Sequence, residues 1–172
     1  MGQVTPAGEA VAAALSATYG DLVSFPATSD GMLTVELADP SRLLELVGWL
    51  REPDEFAFAH LADVTAVDRM PREPRFDVVY HLFSIKLPLR LRLKVPLALD
   101  QPIASVTGFW MGANFSEREV FDLFGIVFEG HPNLERILLP DDYEGYPLRR
   151  DHPLGEIPID FDLPHRKRFG HA

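Results

Sequence analysis

Cysteine is absent from this 172-residue chain, and its absence excludes several kinds of site. Without thiolates the chain cannot form disulfides, a cysteine-ligated zinc site or an iron–sulfur cluster, and it has no cysteine nucleophile. Basic residues are also few: 16 Lys and Arg stand against 26 Asp and Glu, which gives a formal net charge of −10. Because nucleic acids bind basic surfaces, they are not expected as partners.

Long apolar runs are missing as well. No stretch approaches the roughly 20 apolar residues that a membrane-spanning helix needs. The short apolar run at residues 11–15 follows Glu9 rather than a basic flank, so it does not predict a signal peptide. We therefore expect no direct membrane span and a cytoplasmic location, in which the chain can still be bound to a membrane complex.

Motifs for nucleotide binding and nucleophilic catalysis are absent from the sequence. It contains neither of the glycine-rich phosphate-binding motifs and no Gly-x-Ser-x-Gly elbow. None of its six histidines are paired at the i, i+4 spacing of a helical metal site, and His131 and His152 each precede proline. The spacing therefore does not favour a metal site.

The sequence does contain a pattern of short helices and strands. Thr-Pro at 5–6 and Asp-Pro at 39–40 are helix start signals, and each precedes an apolar stripe at helical spacing. The last strand alternates Leu or Val with Arg or Lys, and only Pro88 separates it from the strand before. This order predicts an α+β, two-layer domain whose mostly antiparallel sheet is packed by helices. Strand character is found at residues 32–37, 63–67, 76–87 and 89–95.

The composition changes after Gly130. Six prolines fall in the remaining residues, which disfavours long helices and central strands there. Apolar residues nevertheless recur along this stretch, so it needs a surface to lie on, part of which we expect to be another protein. The chain is thus divided into an α+β core domain (1–130) and an extended, proline-rich C-terminal docking arm (131–172).

Residues 114–125 carry the strongest local signals. Ser116 and Glu119 predict a capping box, Phe115 and Val120 a hydrophobic staple, and Gly125 a left-handed C-cap. Together they predict a helix of about two turns, whose apolar face must be packed because so short a helix is marginal alone.

The charges on this helix are not explained by capping. Arg118 and Asp122 stand at i, i+4, which predicts an intrahelical ion pair. Two functional interpretations stay open: a charged docking face, or Glu117 or Asp122 as a general acid or base. Structure or docking is favoured, since a catalytic pair also needs a pocket.

Four stretches resemble a known family. They are Glu117-Arg118-Glu119-x-x-Asp122-Leu123-Phe124-Gly125-Ile126, followed by Gly130-His131-Pro132-x-Leu134-x-Arg136-Ile137-Leu138, and then residues 140–142 and 145–153. Their combination is similar to the signature of the 30-kDa subunit family of respiratory complex I, whose bacterial members are the C subunits of NADH–quinone oxidoreductase. The match is dense from about Phe109 to Pro153. Glu135 departs from it, because many members carry a basic residue there.

The resemblance implies a non-catalytic peripheral-arm subunit of a proton-pumping enzyme. Such a subunit scaffolds the quinone-site and iron–sulfur subunits during electron transfer from NADH to quinone, so the chain is part of an enzyme without catalytic residues of its own. It implies no cofactor on this chain, with FMN, iron–sulfur clusters and quinone on partner subunits. The chief partner would be the homologue of the 49-kDa subunit, at the cytoplasmic side of the cell membrane.

The expected subunit-docking residues come from the charged helix and the arm. They are Glu117, Arg118, Glu119, Asp122, His131, Pro132, Arg136, Pro147, Leu148, Arg149 and Asp151. Three alternatives remain: the same subunit in a related hydrogenase, F420H2- or ferredoxin-dependent complex; a free-standing metal-dependent hydrolase using Glu117, Asp122 and His131; and a cytosolic adaptor.

Overall fold

A computed structural model describes residues 5–52 and 56–153. The part of the predicted arm after Pro153 lies outside the described residues. Two 3-10 turns, Gly20–Leu22 and Pro40–Arg42, precede β1 and α2. The regular elements are α1 (Pro6–Tyr19), β1 (Val23–Ser24), β2 (Leu33–Leu37), α2 (Leu43–Arg51), β3 (His60–Asp68), β4 (Phe76–Ser84), β5 (Leu89–Leu97), β6 (Ile103–Ala104), α3 (Ala113–Phe124) and β7 (Phe128–Glu129).

Five strands form the main sheet in the order β1-β2-β5-β4-β3. β3, β4 and β5 are antiparallel neighbours, β1 is antiparallel to β2, and β2 runs parallel to β5 with Leu33 opposite Leu91. β6 and β7 form a separate parallel pair. The predicted α+β class with a mostly antiparallel sheet is confirmed. The β4–β5 turn spans residues 85–88, because β4 ends at Ser84 rather than at residue 87.

The alternation in β5 separates a buried from a polar sheet face. Its Leu and Val side chains are buried, whereas Arg90, Arg92 and Lys94 face the other way, as predicted. One apolar core joins the buried face to all three helices. Full burial of each aliphatic side chain contributes about 1.5–3 kcal/mol, so this face holds the helices on the sheet.

The starts of α1 and α2 follow their sequence signals. Thr5 Oγ1 accepts a hydrogen bond from the Gly8 amide at 3.3 Å, and a carboxylate oxygen of Asp39 accepts one from the Ser41 amide at 3.0 Å. Asp39 caps the 3-10 turn that leads into α2, so the α-helix proper begins three residues after Pro40. Within the described residues, no helix is long and apolar enough to cross a membrane.

The predicted capping box of α3 is wrong. The helix has 12 residues and begins at Ala113, so Ser116 lies inside it, and the N-cap, Gly112, forms no side-chain cap. The reason is that turns with helical hydrogen bonds already form before Ser116, since the Trp110 carbonyl accepts a hydrogen bond from the Ala113 amide. The buried Trp110 is itself anchored, because its indole N–H donates to the carbonyl oxygen of Ala59 at 3.0 Å.

The predicted staple of this helix is also wrong, because Val120 is buried whereas Phe115 is 67% exposed. The C-terminal signal is confirmed. Gly125 has φ +72°, in the left-handed region that favours glycine, and its amide donates to the carbonyl of Phe121.

Candidate functional site

The C-terminal segment (residues 131–153) lies against α3 and against the β3–β4 end of the sheet. It has no helix or strand and is fixed by individual hydrogen bonds, such as the one from the Leu148 amide to the Leu123 carbonyl at 3.1 Å. This described part of the predicted arm therefore has its docking surface, at least in part, on its own chain.

Asp122 fixes the first half of the C-terminal segment. Its side chain is fully buried, and Oδ2 accepts hydrogen bonds from the amides of Ile137, Leu138 and Leu139 at 3.0, 2.8 and 3.0 Å. Its other oxygen, Oδ1, accepts from Arg136 at 2.8 Å. Burial raises the pKa of Asp122, but these four hydrogen bonds lower it more, so its pKa lies below the usual range. The ionised carboxylate thus determines the path of residues 136–139.

Arg118 holds the same stretch from the exposed side of α3. Its Nε donates to the carbonyl oxygen of Glu135 at 3.0 Å and its Nη2 to that of Arg136 at 3.3 Å. The predicted Arg118–Asp122 ion pair is therefore wrong. The i, i+4 spacing places the two side chains near each other, but both are engaged by the C-terminal segment, whose carbonyl oxygens Arg118 binds and whose amides Asp122 binds.

Glu117 fixes the loop before α3. It is fully buried and accepts hydrogen bonds from the Val106 amide and the Ser105 hydroxyl, both at 2.7 Å. His131 lies 4.0 Å away through Nε2; its Nδ1 accepts from the Asn133 amide, which leaves Nε2–H to donate to the Asn114 carbonyl at 3.2 Å. Burial raises the pKa of Glu117 more than these hydrogen bonds and the imidazole lower it.

Tyr80 lies in the sheet beneath this group. Its ring is fully buried in β4, and within residues 5–52 and 56–153 its hydroxyl has no hydrogen-bond partner. Burial and the charge of Glu117 raise the pKa of Tyr80 well above its ordinary value. The phenol therefore stays neutral and cannot serve as a base at neutral pH.

A second ionic cluster fixes the end of the C-terminal segment. The buried Arg75, directly before β4, binds Asp151 through two nitrogens at 2.7 and 2.9 Å and Asp68 through its Nη2 at 2.7 Å. The Arg150 amide also donates to Asp68. Burial raises the pKa of Asp68, yet Arg75 and the backbone amides bring its pKa below the usual range, and the two carboxylates raise the pKa of Arg75.

Between these two clusters, aromatic stacking packs the segment on the end of α3. Arg149 donates from Nε to the carbonyl of Phe124 at 2.6 Å, and its guanidinium lies 4.4 Å from the ring centroid of Tyr146 and 5.5 Å from that of Phe76. The Tyr146 ring lies so close to Gly125 that a Cβ there would be 2.5 Å from a ring carbon. Glycine is thus required at this position by both conformation and space.

The remaining predicted docking residues face outwards. Glu119, Pro132 and Leu148 are exposed, Leu148 to 51%, and Pro147 is half-buried. The structure therefore divides the predicted set into inward residues that shape the segment and outward residues that present its surface. Arg118, Arg136, Arg149 and His131 belong to the first group with Glu117 and Asp122. Asp151 binds Arg75, yet its side chain is 46% exposed.

This arrangement is suited to holding a surface rather than to acid–base chemistry. The Asp122 oxygens are occupied by amides and Arg136, and Glu117 is occupied by Val106 and Ser105. In the described parts of the chain, no three His, Asp or Glu side chains converge as a metal site would require. The Glu117, Asp122 and His131 set of the hydrolase alternative thus does not form a ligand group.

Comparison with known proteins settles the family. Residues 37–158 match the family model described as "Respiratory-chain NADH dehydrogenase, 30 Kd subunit". The chain belongs to this 30 kDa subunit family. The resemblance stated from the sequence motifs is therefore confirmed. The matched region begins at the last residue of β2 and includes α2, the strands from β3 to β7, α3 and the C-terminal segment.

Individual members of the 30 kDa subunit family are similar over most of the chain. A relative from Roseiflexus sp. (strain RS-1), named as the C subunit of NADH-quinone oxidoreductase, is 44% identical over 158 residues, with 91% of this chain and 90% of that protein covered. A protein of the same name from Rhizobium rhizogenes is 41% identical over 149 residues, with 86% of this chain and 74% of that protein covered.

Two solved structures share the fold. The trypsin-resistant fragment (1-134) of Nqo5 superposes with a TM-score of 0.63 at 34% identity, covering 72% of this chain and 98% of that chain. A chain in an archaeal membrane-bound sulfane sulfur reductase superposes with a TM-score of 0.71 at 26% identity, covering 86% of each.

Sequence reasoning missed the Arg75 cluster and the Tyr80 hydroxyl. Arg75 and Asp151 are 76 residues apart, and no periodic pattern links a pre-strand arginine to an aspartate in a proline-rich stretch. The only sequence signal was the change of composition after Gly130, which indicates a segment that needs a surface but not which residues bind it.

Proposed function

We propose that this chain is a non-catalytic peripheral subunit of an NADH–quinone oxidoreductase. It scaffolds the quinone-site and iron–sulfur subunits, binds chiefly the homologue of the 49-kDa subunit, and lies at the cytoplasmic side of the membrane. FMN, the iron–sulfur clusters and quinone are held by the partner subunits.

One observation carries this proposal: the C-terminal segment is an irregular stretch held in a defined path by buried charged groups. Backbone amides outside helices and strands need other acceptors, and here Asp122 and Asp68 accept from amides of the segment while Arg75 binds its Asp151 side chain. The result is a pre-organised surface, which binds a partner at a lower entropic cost than a loose loop would. Leu138 and Leu148, 59% and 51% exposed, are apolar side chains on that surface.

The predicted docking residues divide between building this surface and making contacts. Glu117 and Asp122, which are fully buried, orient it from within. Glu119, Pro132 and Leu148 face outwards and contact neighbouring subunits. Arg118 has both roles, since only part of its guanidinium is engaged by the carbonyl oxygens of residues 135 and 136.

The test is complementation of a strain that lacks this chain with tagged, full-length protein. We expect the tagged protein to be purified from detergent-solubilised membranes together with the other subunits, and NADH-driven quinone reduction by those membranes to be restored. Recovery without any other component of the oxidoreductase would refute the proposal.

Arg118→Ala separates assembly from stability. We expect it to lower the yield of assembled complex more than it lowers the unfolding free energy of the isolated chain, while Arg72→Ala, at an exposed arginine, changes neither. If the complex assembles normally while the isolated variant unfolds, Arg118 has a structural role only.

A second candidate is the same subunit in a different membrane-bound respiratory complex, favoured by the TM-score of 0.71 to the chain of the sulfane sulfur reductase. The co-purified subunits distinguish the two, because only the first candidate brings NADH-oxidising activity with it.

A further inference from the structure

Two large apolar side chains on α3 and just before it are exposed one helical turn apart. Met111 is 89% and Phe115 67% exposed, more than any other described Met or Phe. Met111 directly precedes the N-cap Gly112 and Phe115 lies in the first turn of α3, so both side chains are exposed at the N-terminal end of this helix; together they are called the Met111–Phe115 strip.

A shallow groove of about 420 Å³ lies beside this strip. His131 binds the carbonyl oxygen of Asn114, which lines this groove, and the Arg118 guanidinium lies 5.9 Å from the centroid of the Phe115 ring. The groove is lined by Thr107, Gly108, Met111, Asn114, Gly130 and Pro132.

The rim of the strip is acidic. Glu119 is one turn beyond Phe115, Glu135 provides the carbonyl that Arg118 binds, and Glu129 adjoins the groove at Gly130. All three glutamates are exposed, and none forms an ion pair with another of the described residues. Arg118 adds one positive charge beside them, and the adjacent Arg136 is paired with Asp122, so the rim retains excess negative charge available to a partner.

We propose that this Met111–Phe115 strip and its groove bind an apolar segment of a neighbouring subunit that is flanked by Lys or Arg. This inference rests on the proposed function and adds the place and the chemistry of one contact. A second copy of this chain would bring a second set of glutamates to the same place, and like charges across an interface are disfavoured. Anionic lipid is disfavoured for the same reason.

Photo-crosslinking in the assembled complex tests the proposal. Full-length chain with p-benzoylphenylalanine in place of Phe115 is expressed in its host, irradiated, and purified with the complex. The control carries the same group in place of Ile85, which is 76% exposed on the β4–β5 turn. We expect position 115 to cross-link to one peptide of another subunit, with apolar residues and a Lys or Arg beside them, and position 85 not to cross-link to that peptide.

Substitutions at the strip and rim test the two components of the chemistry. In the position-115 protein, Met111→Ala is expected to lower the cross-link yield about tenfold, as expected for truncation of a central apolar contact. Glu119→Lys is expected to lower it as well, and Glu73→Lys, at an exposed glutamate elsewhere, to leave it unchanged.

Each failure points to a different error. If the complex assembles and position 115 cross-links to nothing, to a second copy of this chain, or to a peptide without basic residues, the docking proposal is wrong and the proposed function stands. If the chain is not recovered with the oxidoreductase at all, the proposed function is wrong and the docking proposal falls with it.

Discussion

Replacement of Asp122 tests the central structural argument, that one buried carboxylate fixes the path of residues 136–139. In Asp122→Ala, the amides of Ile137, Leu138 and Leu139 lose their acceptor and the charge of Arg136 loses its partner. In Asp122→Asn, one oxygen can still accept from the amides, but the ion pair is lost.

The expected cost follows from burial. Removing one partner of a buried ion pair costs about 3–5 kcal/mol, and each hydrogen bond to a charged group contributes about 1.5–3 kcal/mol, though these contributions do not add in one network. We therefore expect Asp122→Ala to lower the unfolding free energy by about 4 kcal/mol and Asp122→Asn by about 2 kcal/mol. The unfolding free energy of a whole domain is only about 5–15 kcal/mol, so the alanine variant is close to unfolding.

Urea denaturation of the full chain, followed by the fluorescence of Trp49 and Trp110, measures this cost. Hydrogen exchange supplies the specific readout, since the amides of residues 137–139 lose protection in both variants while those of β5 keep it in Asp122→Asn. Glu119→Ala, at an exposed position on the same helix, is the matched control and should change the unfolding free energy by less than about 0.5 kcal/mol.

The same carboxylate predicts a dependence on pH. Because the pKa of Asp122 is lower in the folded chain than in the unfolded one, its contribution is complete above about pH 4 and is lost as pH falls through the folded-state pKa. The stability advantage of wild type over Asp122→Asn should therefore shrink in acid.

Unchanged hydrogen-exchange protection of residues 137–139 in Asp122→Ala would refute the reasoning that this carboxylate fixes their path.

Three further perturbations have defined outcomes. Arg75→Ala leaves a buried carboxylate without its cation, so thermal unfolding should show that the unfolding free energy falls by about 3–5 kcal/mol. Gly125→Ala should cost about 2–4 kcal/mol in urea denaturation, because its φ is +72° and the Tyr146 ring occupies the Cβ position; Gly130→Ala, with φ +78° and open space, should cost only about 1–2 kcal/mol. The pKa of Glu117 is raised in the fold, so the unfolding free energy of wild type should increase relative to that of Glu117→Gln as pH falls from neutrality towards 4.5. Denaturation at several pH values measures this difference.

Each of these has a contrary result. Equal costs at the two glycines would mean that the Tyr146 ring moves without penalty. If the unfolding free energy of wild type instead decreases relative to that of Glu117→Gln in acid, the ionised carboxylate is better stabilised in the fold than its burial indicates. A negligible effect of Arg75→Ala would mean that water replaces the guanidinium at Asp68.

The features that the sequence predicted correctly depend on neighbouring residues. The alternation from Leu89 to Val95 assigns the two faces of β5 whatever lies around it, and Thr5, Asp39 and Gly125 act on backbone groups within a few residues of themselves. Caps and strand periods are local properties, so a single sequence is enough to find them.

The features that were wrong depend on distant residues. The start of α3 is displaced by the anchoring of Trp110 to Ala59, which is 51 residues earlier. Asp122 has an arginine at the right helical spacing, yet its actual partners are 14 to 17 residues later, in a stretch without periodicity. A contact made across the fold leaves no pattern along the chain, so the members of the docking set could be proposed but not divided into inward and outward residues.

The parallel pairing of β2 with β5 has a consequence for synthesis of the chain. β4 and β5 are joined by a short turn and can pair as soon as both have emerged from the ribosome, whereas β2 emerges early and its partner strand is among the last of the sheet to appear. Until residues 91–94 have emerged, Leu33 and Val35 lack the strand that pairs beside them. We expect nascent chains that end before β5 to bind chaperones or aggregate, and this tendency to decrease as first β5 and then α3 are added.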